Sequence, residues 1–210
     1  MRILFQGDSV TDGGRDRRNF HDMGNGYPLY ASKFISEEFP NRKFEFINLG
    51  ISGNRTGQLF DRLYEDAIKL NPDVISILIG INDIWHRHDS QHIETSDEQI
   101  EANYRAILRC LRKQTNAKIV MIAPYILDCD DKDQMREDLA KILTIIKSLA
   151  EEFADVYIPL NQLFEESLKI QPHAQYYSED GVHPNPEGAE FIGKQYFDAV
   201  SPMLKKMLSV

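Results

Sequence analysis

Cysteine and tryptophan are scarce in this sequence, which has two cysteines and one tryptophan among 210 residues. Cys110 and Cys129 are too few for a disulfide framework, and their spacing matches no metal-binding motif, so we interpret both as free thiols of a reducing compartment. We also expect no signal peptide, because the apolar run after Met1 stops at Phe5. No stretch approaches the length of a membrane-spanning helix. These absences predict a cytoplasmic protein.

Basic residues are in deficit, since 24 Lys and Arg face 33 Asp and Glu and give a formal net charge of -9. Nucleic acids and anionic membranes are bound by basic patches, so we expect neither as a partner. The sequence contains no phosphate-binding P-loop and no dinucleotide fingerprint. It also contains no exposed apolar helix or lid-like run of the kind that a lipase uses at an interface.

Five short apolar runs alternate with amphipathic helical patterns along residues 1–210, which we expect to form one domain. The runs are nearly continuous and rich in Ile and Val, which is typical of parallel strands covered on both faces; they are 2–6, 44–49, 74–80, 118–123 and 156–160. The helical patterns cover 27–39, 56–70, 97–113, 132–153, 161–170 and 186–208. The alternation predicts an α/β fold, a flavodoxin-like three-layer α/β/α sandwich with a five-stranded parallel sheet in the order 2-1-3-4-5.

Ser9 lies at the predicted carboxyl end of the first strand, the edge at which open α/β sheets bind their ligands. A serine hydroxyl is a poor nucleophile unless a base takes its proton. His183 is the candidate base, and Asp180, three residues earlier, can accept the other imidazole N–H and fix its tautomer. The long irregular stretches of the chain belong to the same edge; they are 11–26, 81–95 and 171–185.

A serine nucleophile also needs donors aimed at the oxyanion of its tetrahedral intermediate. The candidate donors are the backbone N–H of Ser9, the backbone N–H of Gly50 and the side-chain amide of Asn82. Glycine suits position 50 because it lets the backbone approach a substrate closely. Each of these residues alone has an ordinary structural interpretation as a turn or a helix cap. Their joint occurrence at one sheet edge favours catalysis.

Four short blocks carry a resemblance to a known superfamily; they are 7–11, 48–54, 80–83 and 180–184. Together and in this order they resemble the sequence blocks of the SGNH hydrolases, also called the GDSL esterase superfamily. The resemblance implies that four residues take the family's defining roles and that a fifth completes the triad; they are Ser9, Gly50, Asn82 and His183, with Asp180. The first block lacks the second glycine of the G-x-S-x-G nucleophile elbow, which disfavours an ordinary α/β-hydrolase.

Within the superfamily, nearly the whole chain resembles the carbohydrate acetylesterases, notably the intracellular acetylxylan esterases. The resemblance implies a serine esterase that removes small acyl groups, above all O-acetyl groups, from carbohydrates such as acetylated xylo-oligosaccharides through an acyl-Ser9 intermediate. The substrate would be a small-molecule or oligosaccharide ester, and no metal or organic cofactor is needed. Because relatives of this subfamily assemble, a homo-oligomer is compatible with the resemblance. The alternatives are a lysophospholipase or thioesterase on the same triad, a catalytically dead carbohydrate-binding member, and a metal-dependent hydrolase.

Trp85 and His86 are further candidates for lining the substrate, and Tyr176 and Tyr177, which stand close before Asp180, are weaker candidates for the rim of the same site. Trp85 closely follows Asn82, where an aromatic ring can stack on a sugar or wall a small acyl pocket. Its burial as a core residue is the equal alternative.

We expect no metal site, although two stretches contain several side chains of the kinds that bind metal ions. His86, His88 and His92 lie within seven residues of each other, in a stretch that we expect to be a polar loop. The acidic run at 128–133 lacks the glycine and the final glutamate of a calcium loop.

Overall fold

A parallel sheet of five strands forms the centre of the structure, a computed structural model that describes residues 1–89, 94–128 and 132–209. The strands are β1 (Arg2–Gly7), β2 (Glu45–Asn48), β3 (Val74–Leu78), β4 (Lys118–Ile122) and β5 (Val156–Ile158). Their order is β2-β1-β3-β4-β5, and every neighbouring pair is parallel. The predicted fold class and strand order are therefore confirmed.

Helices cover both faces of this sheet; they are α1 (Ser9–Asp12), α2 (Tyr27–Glu38), α3 (Thr56–Asp61), α4 (Ile81–His88), α5 (Asp97–Gln114), α6 (Asp133–Phe153), α7 (Leu160–Leu168) and α8 (Pro186–Leu208). Leu4 belongs to the core formed with α5 and α6, whereas Ile3 and Phe5 belong to the core formed with α2 and α8. Burial on both faces explains why the strands are continuously apolar. Among the described residues, no helix combines the length and the apolar character that crossing a membrane requires.

The predicted helix at 56–70 is divided in the structure. After α3 the chain forms a π-helical turn at Tyr64–Ile68, in which Lys69 N–H donates to Tyr64 O at 2.9 Å. Such turns insert one residue into a helix and occur frequently at functional sites. The spacing of apolar residues in the sequence cannot predict this π-helical turn, because the apolar stripe of the helix continues through it.

The prediction of an irregular stretch at 81–95, with a polar loop around its histidines, is wrong over Ile81–His88, which forms α4. The helix forms because Ile81 and Ile84 are buried and Trp85 packs against the same core. Gly80 supplies the turn into the helix with φ of 116°, in the left-handed region that favours glycine. The other predicted helices and strands agree with the observed ones to within two residues at each end.

The carboxyl edge of the sheet collects the segments that were singled out in the sequence. Ser9 follows β1, Gly50 follows β2 and Asn82 follows β3. The segment with His183 precedes α8 and is held by the chain that leaves β4. Leu127 N–H donates to Gly181 O at 2.8 Å, and the Tyr125 hydroxyl donates to Val182 O at 2.8 Å.

Candidate active site

Ser9 is the first residue of α1, directly beyond the end of β1. Asp8 caps this helix, and its Oδ1 accepts from Val10 N–H at 3.1 Å. Gly7 permits the sharp turn, because a Cβ there would lie 2.3 Å from both Leu78 O and Thr11 Oγ1. The Ser9 N–H belongs to the first helical turn, where N–H groups have no intrahelical acceptor.

The side chains of Ser9, His183 and Asp180 form a continuous hydrogen-bonded chain. Ser9 Oγ lies 2.9 Å from His183 Nε2, and His183 Nδ1 lies 2.6 Å from Asp180 Oδ2. Both distances fall within the range required of a nucleophile, its base and the group that orients the base. The structure thus brings together the three residues that the sequence proposed as a triad.

Asp180 is held in the ionised form. Burial raises the pKa of its carboxyl, but hydrogen bonds from the His183 ring, from His183 N–H and from Val182 N–H outweigh burial and bring the pKa well below its usual range. In turn, the hydrogen bond to Asp180 raises the pKa of the His183 imidazole, against the opposing effect of burial. The pair is therefore arranged to stabilise an imidazolium, the species that a base produces when it takes a proton from serine.

Gly50 lies in a buried polar network beyond the end of β2. Its N–H donates to Asn48 Oδ1 at 2.9 Å, so this candidate oxyanion donor already has an acceptor. The Asn48 amide donates to Thr11 O at 2.8 Å and to Met23 O at 3.1 Å, which ties the loop to the end of α1. Only glycine fits at position 50, because a Cβ would lie 2.3 Å from Asp12 N.

Asn82 projects from the first turn of α4. Its Nδ2 donates to Asn54 O at 3.0 Å, which uses one of the two amide hydrogens and leaves the other for a ligand. The next residue, Asp83, is completely buried and fixes α4 to the start of α3, since it accepts from both the N–H and the hydroxyl of Thr56, at 2.9 and 2.8 Å.

Asp8 and Asp12, close to Ser9 in sequence, both accept hydrogen bonds from the backbone. Asp12 Oδ2 accepts from Ser52 N–H at 3.0 Å and from the Arg17 side chain at 2.6 Å. Asp8 is 1 % exposed, and burial raises the pKa of its carboxyl to about 7 against the opposing effects of Val10 N–H and His183.

Trp85 lies beside the triad and is only partly buried. Its ring centroid is 6.2 Å from that of His183, and the Lys132 ammonium lies 5.4 Å from the Trp85 ring centroid. Lys132 Nζ also donates to Asp180 O at 2.5 Å. Sequence reasoning missed Lys132, because it stands far from the motif blocks and no spacing links it to them.

A cavity of about 380 Å³ opens beside Ser9 and His183. Its other walls come from four segments of the chain; they are Val10, Gly13, Gly14, Asn25, Gly26, Ser52 and Pro184. Tyr177 is absent from this wall. It is 6 % exposed, its ring packs against Phe164 and Phe191, and its hydroxyl bonds Ser167, so the structure does not place it on the rim as predicted. Tyr176 is 48 % exposed.

The histidines of the predicted cluster pair with aspartates. His86 Nδ1 lies 2.6 Å from Asp89 Oδ2, and His88 Nε2 lies 3.1 Å from Asp138 Oδ2. His92 and the cysteine at 129 lie outside the described residues. Within the part of the chain that the structure describes, no three His, Cys, Asp or Glu side chains are grouped to hold a metal ion.

The sequence model of the GDSL-like Lipase/Acylhydrolase family matches residues 5–191. The chain belongs to this family. An acetylxylan esterase from Geobacillus stearothermophilus is 32 % identical over 203 residues, which cover 93 % of this chain and 91 % of the relative. An isoamyl acetate-hydrolyzing esterase 1 homolog from Bos taurus is 26 % identical over 226 residues, covering 99 % and 83 %.

Solved structures of the GDSL family share the fold. A crystal structure of an acetylxylan esterase from Geobacillus stearothermophilus superposes with a TM-score of 0.86 at 28 % identity, covering 94 % of this chain and 92 % of the other. Together with the family match and the esterase relatives, this makes the protein a serine carboxylic ester hydrolase. The predicted family and enzyme class are confirmed.

Proposed function

We propose that this GDSL-family hydrolase removes O-acetyl groups from carbohydrates such as acetylated xylo-oligosaccharides, with Ser9 as the nucleophile. The observation that carries the proposal is the unbroken chain from Ser9 Oγ through His183 to Asp180, with links of 2.9 and 2.6 Å. The acetylxylan esterase relative from Geobacillus stearothermophilus supports the substrate class.

Acylation begins when His183 Nε2 takes the hydroxyl proton of Ser9 and Oγ attacks the acetyl carbonyl carbon. The tetrahedral intermediate collapses as the bond from carbon to the sugar oxygen breaks, and His183 returns the proton to that oxygen. The sugar leaves as an alcohol, and the acetyl group stays on Ser9. Asp180 keeps the imidazole oriented and stabilises its charged form throughout.

Deacylation repeats the sequence with water in place of the serine. His183 takes a proton from water, the water oxygen attacks the acetyl carbon, and the bond to Ser9 Oγ breaks as the proton passes to Oγ. Acetic acid leaves and loses its proton to the solvent, and the resting site is restored. No metal, organic cofactor, nucleic acid or membrane enters this proposal, whereas a cytoplasmic location and a homo-oligomeric assembly stay predictions.

The oxyanion of both intermediates would be held by Ser9 N–H, by the second amide hydrogen of Asn82 and by Gly50 N–H. Gly50 would share its hydrogen between Asn48 Oδ1 and the oxyanion, since it already donates to Asn48 at 2.9 Å. Loss of one such donor typically costs about 2.7–4 kcal/mol of transition-state stabilisation.

The surroundings of His183 favour a sugar as the leaving group. His183 protonates the departing oxygen, so whatever lies beside its ring faces the alcohol part of the substrate. Trp85 lies there, at 6.2 Å between ring centroids, and a partly exposed aromatic ring presents an apolar face to a sugar ring. The open cavity beside Ser9 has room for the rest of the sugar chain.

The decisive experiment measures acetate released from a panel of acetylated xylo-oligosaccharides and other acetylated sugars, with Ser9→Ala as the control. We expect the xylo-oligosaccharides to be the best substrates. Release from none of the sugars, while simple acetate esters are hydrolysed, would reject the carbohydrate part of the proposal.

A series of p-nitrophenyl esters of increasing acyl length tests the acyl preference. We expect acetate to be the best substrate, in line with the similarity to an acetylxylan esterase. A preference for acyl chains of about eight carbons or more would instead assign the chain to the lysophospholipase or thioesterase type of activity.

A further inference from the structure

We infer that Arg62 is a positioning residue that holds the three donors of the proposed oxyanion hole in one fixed arrangement. The inference rests on the proposed function, because it presumes that Ser9, Gly50 and Asn82 supply those donors. Arg62 follows α3 directly, before the π-helical turn, and its side chain is only 14 % exposed.

The first link runs to the segment that carries Ser9. Arg62 Nη2 donates to Gly7 O at 3.1 Å, at the last residue of β1. The same oxygen accepts from Ile51 N–H at 3.1 Å, so the exit of β1 and the loop beyond β2 meet at this point. The guanidinium thereby fixes the peptide that precedes Asp8 and Ser9.

The second link runs to the Gly50 N–H. Arg62 Nη1 donates to Leu49 O at 2.8 Å. This carbonyl and the Gly50 N–H belong to one peptide unit, which is planar and trans, so the two groups point in opposite directions. A cation bound to the carbonyl therefore sets the direction of the N–H and increases its polarity as a donor.

The third link runs to the Asn82 amide through Asn54. Arg62 Nε donates to Asn54 Oδ1 at 2.8 Å, while Asn54 O accepts from Asn82 Nδ2 at 3.0 Å. Asn54 is thus held by its side chain and in turn holds Asn82 by its backbone. One guanidinium therefore contacts a segment that lies next to each donor of the proposed hole.

Two further side chains, those of Gln6 and Asp66, hold the Arg62 guanidinium in place. Nη1 also lies 2.7 Å from Gln6 Oε1 and 2.9 Å from Asp66 Oδ2, and the Gln6 amide donates to Asp66 O at 2.7 Å. Arginine suits this position, because its planar fork presents five donors in fixed directions, whereas a lysine ammonium is a point charge on a flexible stem.

The main test compares Arg62→Lys and Arg62→Gln in the full chain, with p-nitrophenyl acetate as substrate. We expect kcat/KM to fall about tenfold to a hundredfold in both, because neither side chain can reach all three acceptors. An arylboronic acid, which forms a tetrahedral adduct on a serine hydroxyl, should lose affinity in proportion to kcat/KM across the variants. A role confined to stability would lower the unfolding temperature without that proportionality.

Two controls separate positioning from charge and from general damage. Asp66→Asn removes the counterion and keeps an oxygen that can accept from Nη1, so we expect a smaller fall in kcat/KM than in either Arg62 variant. Arg112→Gln is the matched variant at the opposite edge of the sheet, where Arg112 Nε donates to Phe153 O at 3.0 Å. It should leave kcat/KM unchanged.

A double-mutant cycle keeps the inference testable even if the Arg62 variants fold poorly. Asn54→Ala removes only the contact with Arg62 Nε and should lower kcat/KM a few-fold. In an Asn82→Ala background the same change should cost nothing, because the amide that it positions is gone. Equal losses in both backgrounds, or unchanged kcat/KM in both Arg62 variants, would overturn the inference. Full activity of Asn82→Ala would instead reject the proposed oxyanion hole itself.

Discussion

The two sides of the candidate site are built in different ways. His183 and Asp180 lie on a loop, and their side chains are 52 % and 39 % exposed. On the opposite side, Asn48 and Gly50 are buried, and Arg62 fixes the surrounding carbonyl groups from within the fold. We call the first the proton-transfer side and the second the anion-holding side.

The difference follows from what each side has to do in the proposed reaction. The proton-transfer side must admit the water that cleaves the acyl-enzyme, so exposure of His183 is useful there. The anion-holding side works only if its N–H donors are already oriented when negative charge develops on the oxyanion. Reorienting them at that moment would cost the free energy that their hydrogen bonds supply. Buried polar contacts that are fully satisfied supply that rigidity.

The largest expected effect comes from Ser9, which belongs to both sides. Ser9→Ala removes the nucleophile and should lower kcat on the order of 10⁴-fold or more, measured with p-nitrophenyl acetate. A fluorophosphonate should label the folded wild-type chain at Ser9 and leave the variant unlabelled. Ser148→Ala, at an exposed position of α6, serves as the control and should behave as wild type. Labelling at another serine would reject the assigned nucleophile.

The anion-holding side is tested by Asn82→Ala. Loss of one preorganised donor should lower kcat by about 10²–10³-fold, with a small change in KM, because the contact forms only as charge develops. Steady-state kinetics on p-nitrophenyl acetate measure both parameters. If KM rose and kcat stayed constant, Asn82 would be a binding residue for the ground state.

Stability against pH offers a third test, centred on Asp8 between the two sides. Its folded pKa of about 7 lies above the usual value of 3.8, so the folded chain binds more protons between these values. Stability from this group is present below about pH 4 and is lost as pH rises through 7. Asp8→Asn keeps a capping oxygen and cannot ionise, so it should be more stable than wild type at pH 9 by on the order of 2 kcal/mol.

Urea unfolding at pH 4 and pH 9 measures this difference, which should vanish at the lower pH. Asp133→Asn, at a side chain that is 88 % exposed, should show no such dependence. Equal stability of Asp8→Asn and wild type at pH 9 would mean that ionisation of the buried Asp8 carboxyl does not lower the free energy of unfolding.

The substrate-facing edge of the proton-transfer side is tested by Trp85→Ala. Loss of stacking should raise KM for an acetylated xylo-oligosaccharide about twofold to tenfold, since aromatic contacts contribute about 0.5–1.5 kcal/mol. Hydrolysis of p-nitrophenyl acetate, which carries no sugar, should change much less. Equal losses on both substrates would indicate that Trp85 supports His183 rather than the sugar.

The proton-transfer side could be predicted from the sequence more completely than the anion-holding side. Asp180 and His183 stand three residues apart, so one turn brings them together, and the alternation of strands and helices fixed the edge at which Ser9 would lie. The alternation of five apolar runs with helices also predicted the sheet order, because 2-1-3-4-5 is a common order in doubly wound sheets of this size.

No sequence pattern predicts the hydrogen bonds by which Arg62 supports the anion-holding side. Arg62 reaches Gly7, Leu49 and Asn54 through backbone and amide oxygens, and any residue offers a carbonyl, so no sequence pattern marks its partners. Tyr177 shows the converse case. Its nearness to Asp180 in sequence suggested the rim of the site, but its ring found apolar partners in the core.

The smallest expected effect concerns Lys132, which tunes the proton-transfer side. Asp180 raises the pKa of His183 through their hydrogen bond and its charge, Asp8 also raises it, and the positive charge of Lys132 lowers it. Since His183 must be neutral to act as a base, activity falls as pH drops through this pKa. Lys132→Gln removes a repulsion toward the imidazolium, so the acid limb of kcat/KM should move up by about half a pH unit.

Asp8→Asn should move the same limb in the opposite direction, because it removes a charge that favours the imidazolium. The pair of variants therefore separates electrostatic tuning from loop disorder. Lys132 could instead serve only to hold the loop, through its hydrogen bond to Asp180 O at 2.5 Å. Disorder of that loop would lower activity at every pH and leave the midpoint of the acid limb unchanged. Opposite shifts of the midpoint would show instead that the Lys132 ammonium and the Asp8 carboxylate, which act in opposite senses on the half-exposed imidazole, set the pH at which His183 can work.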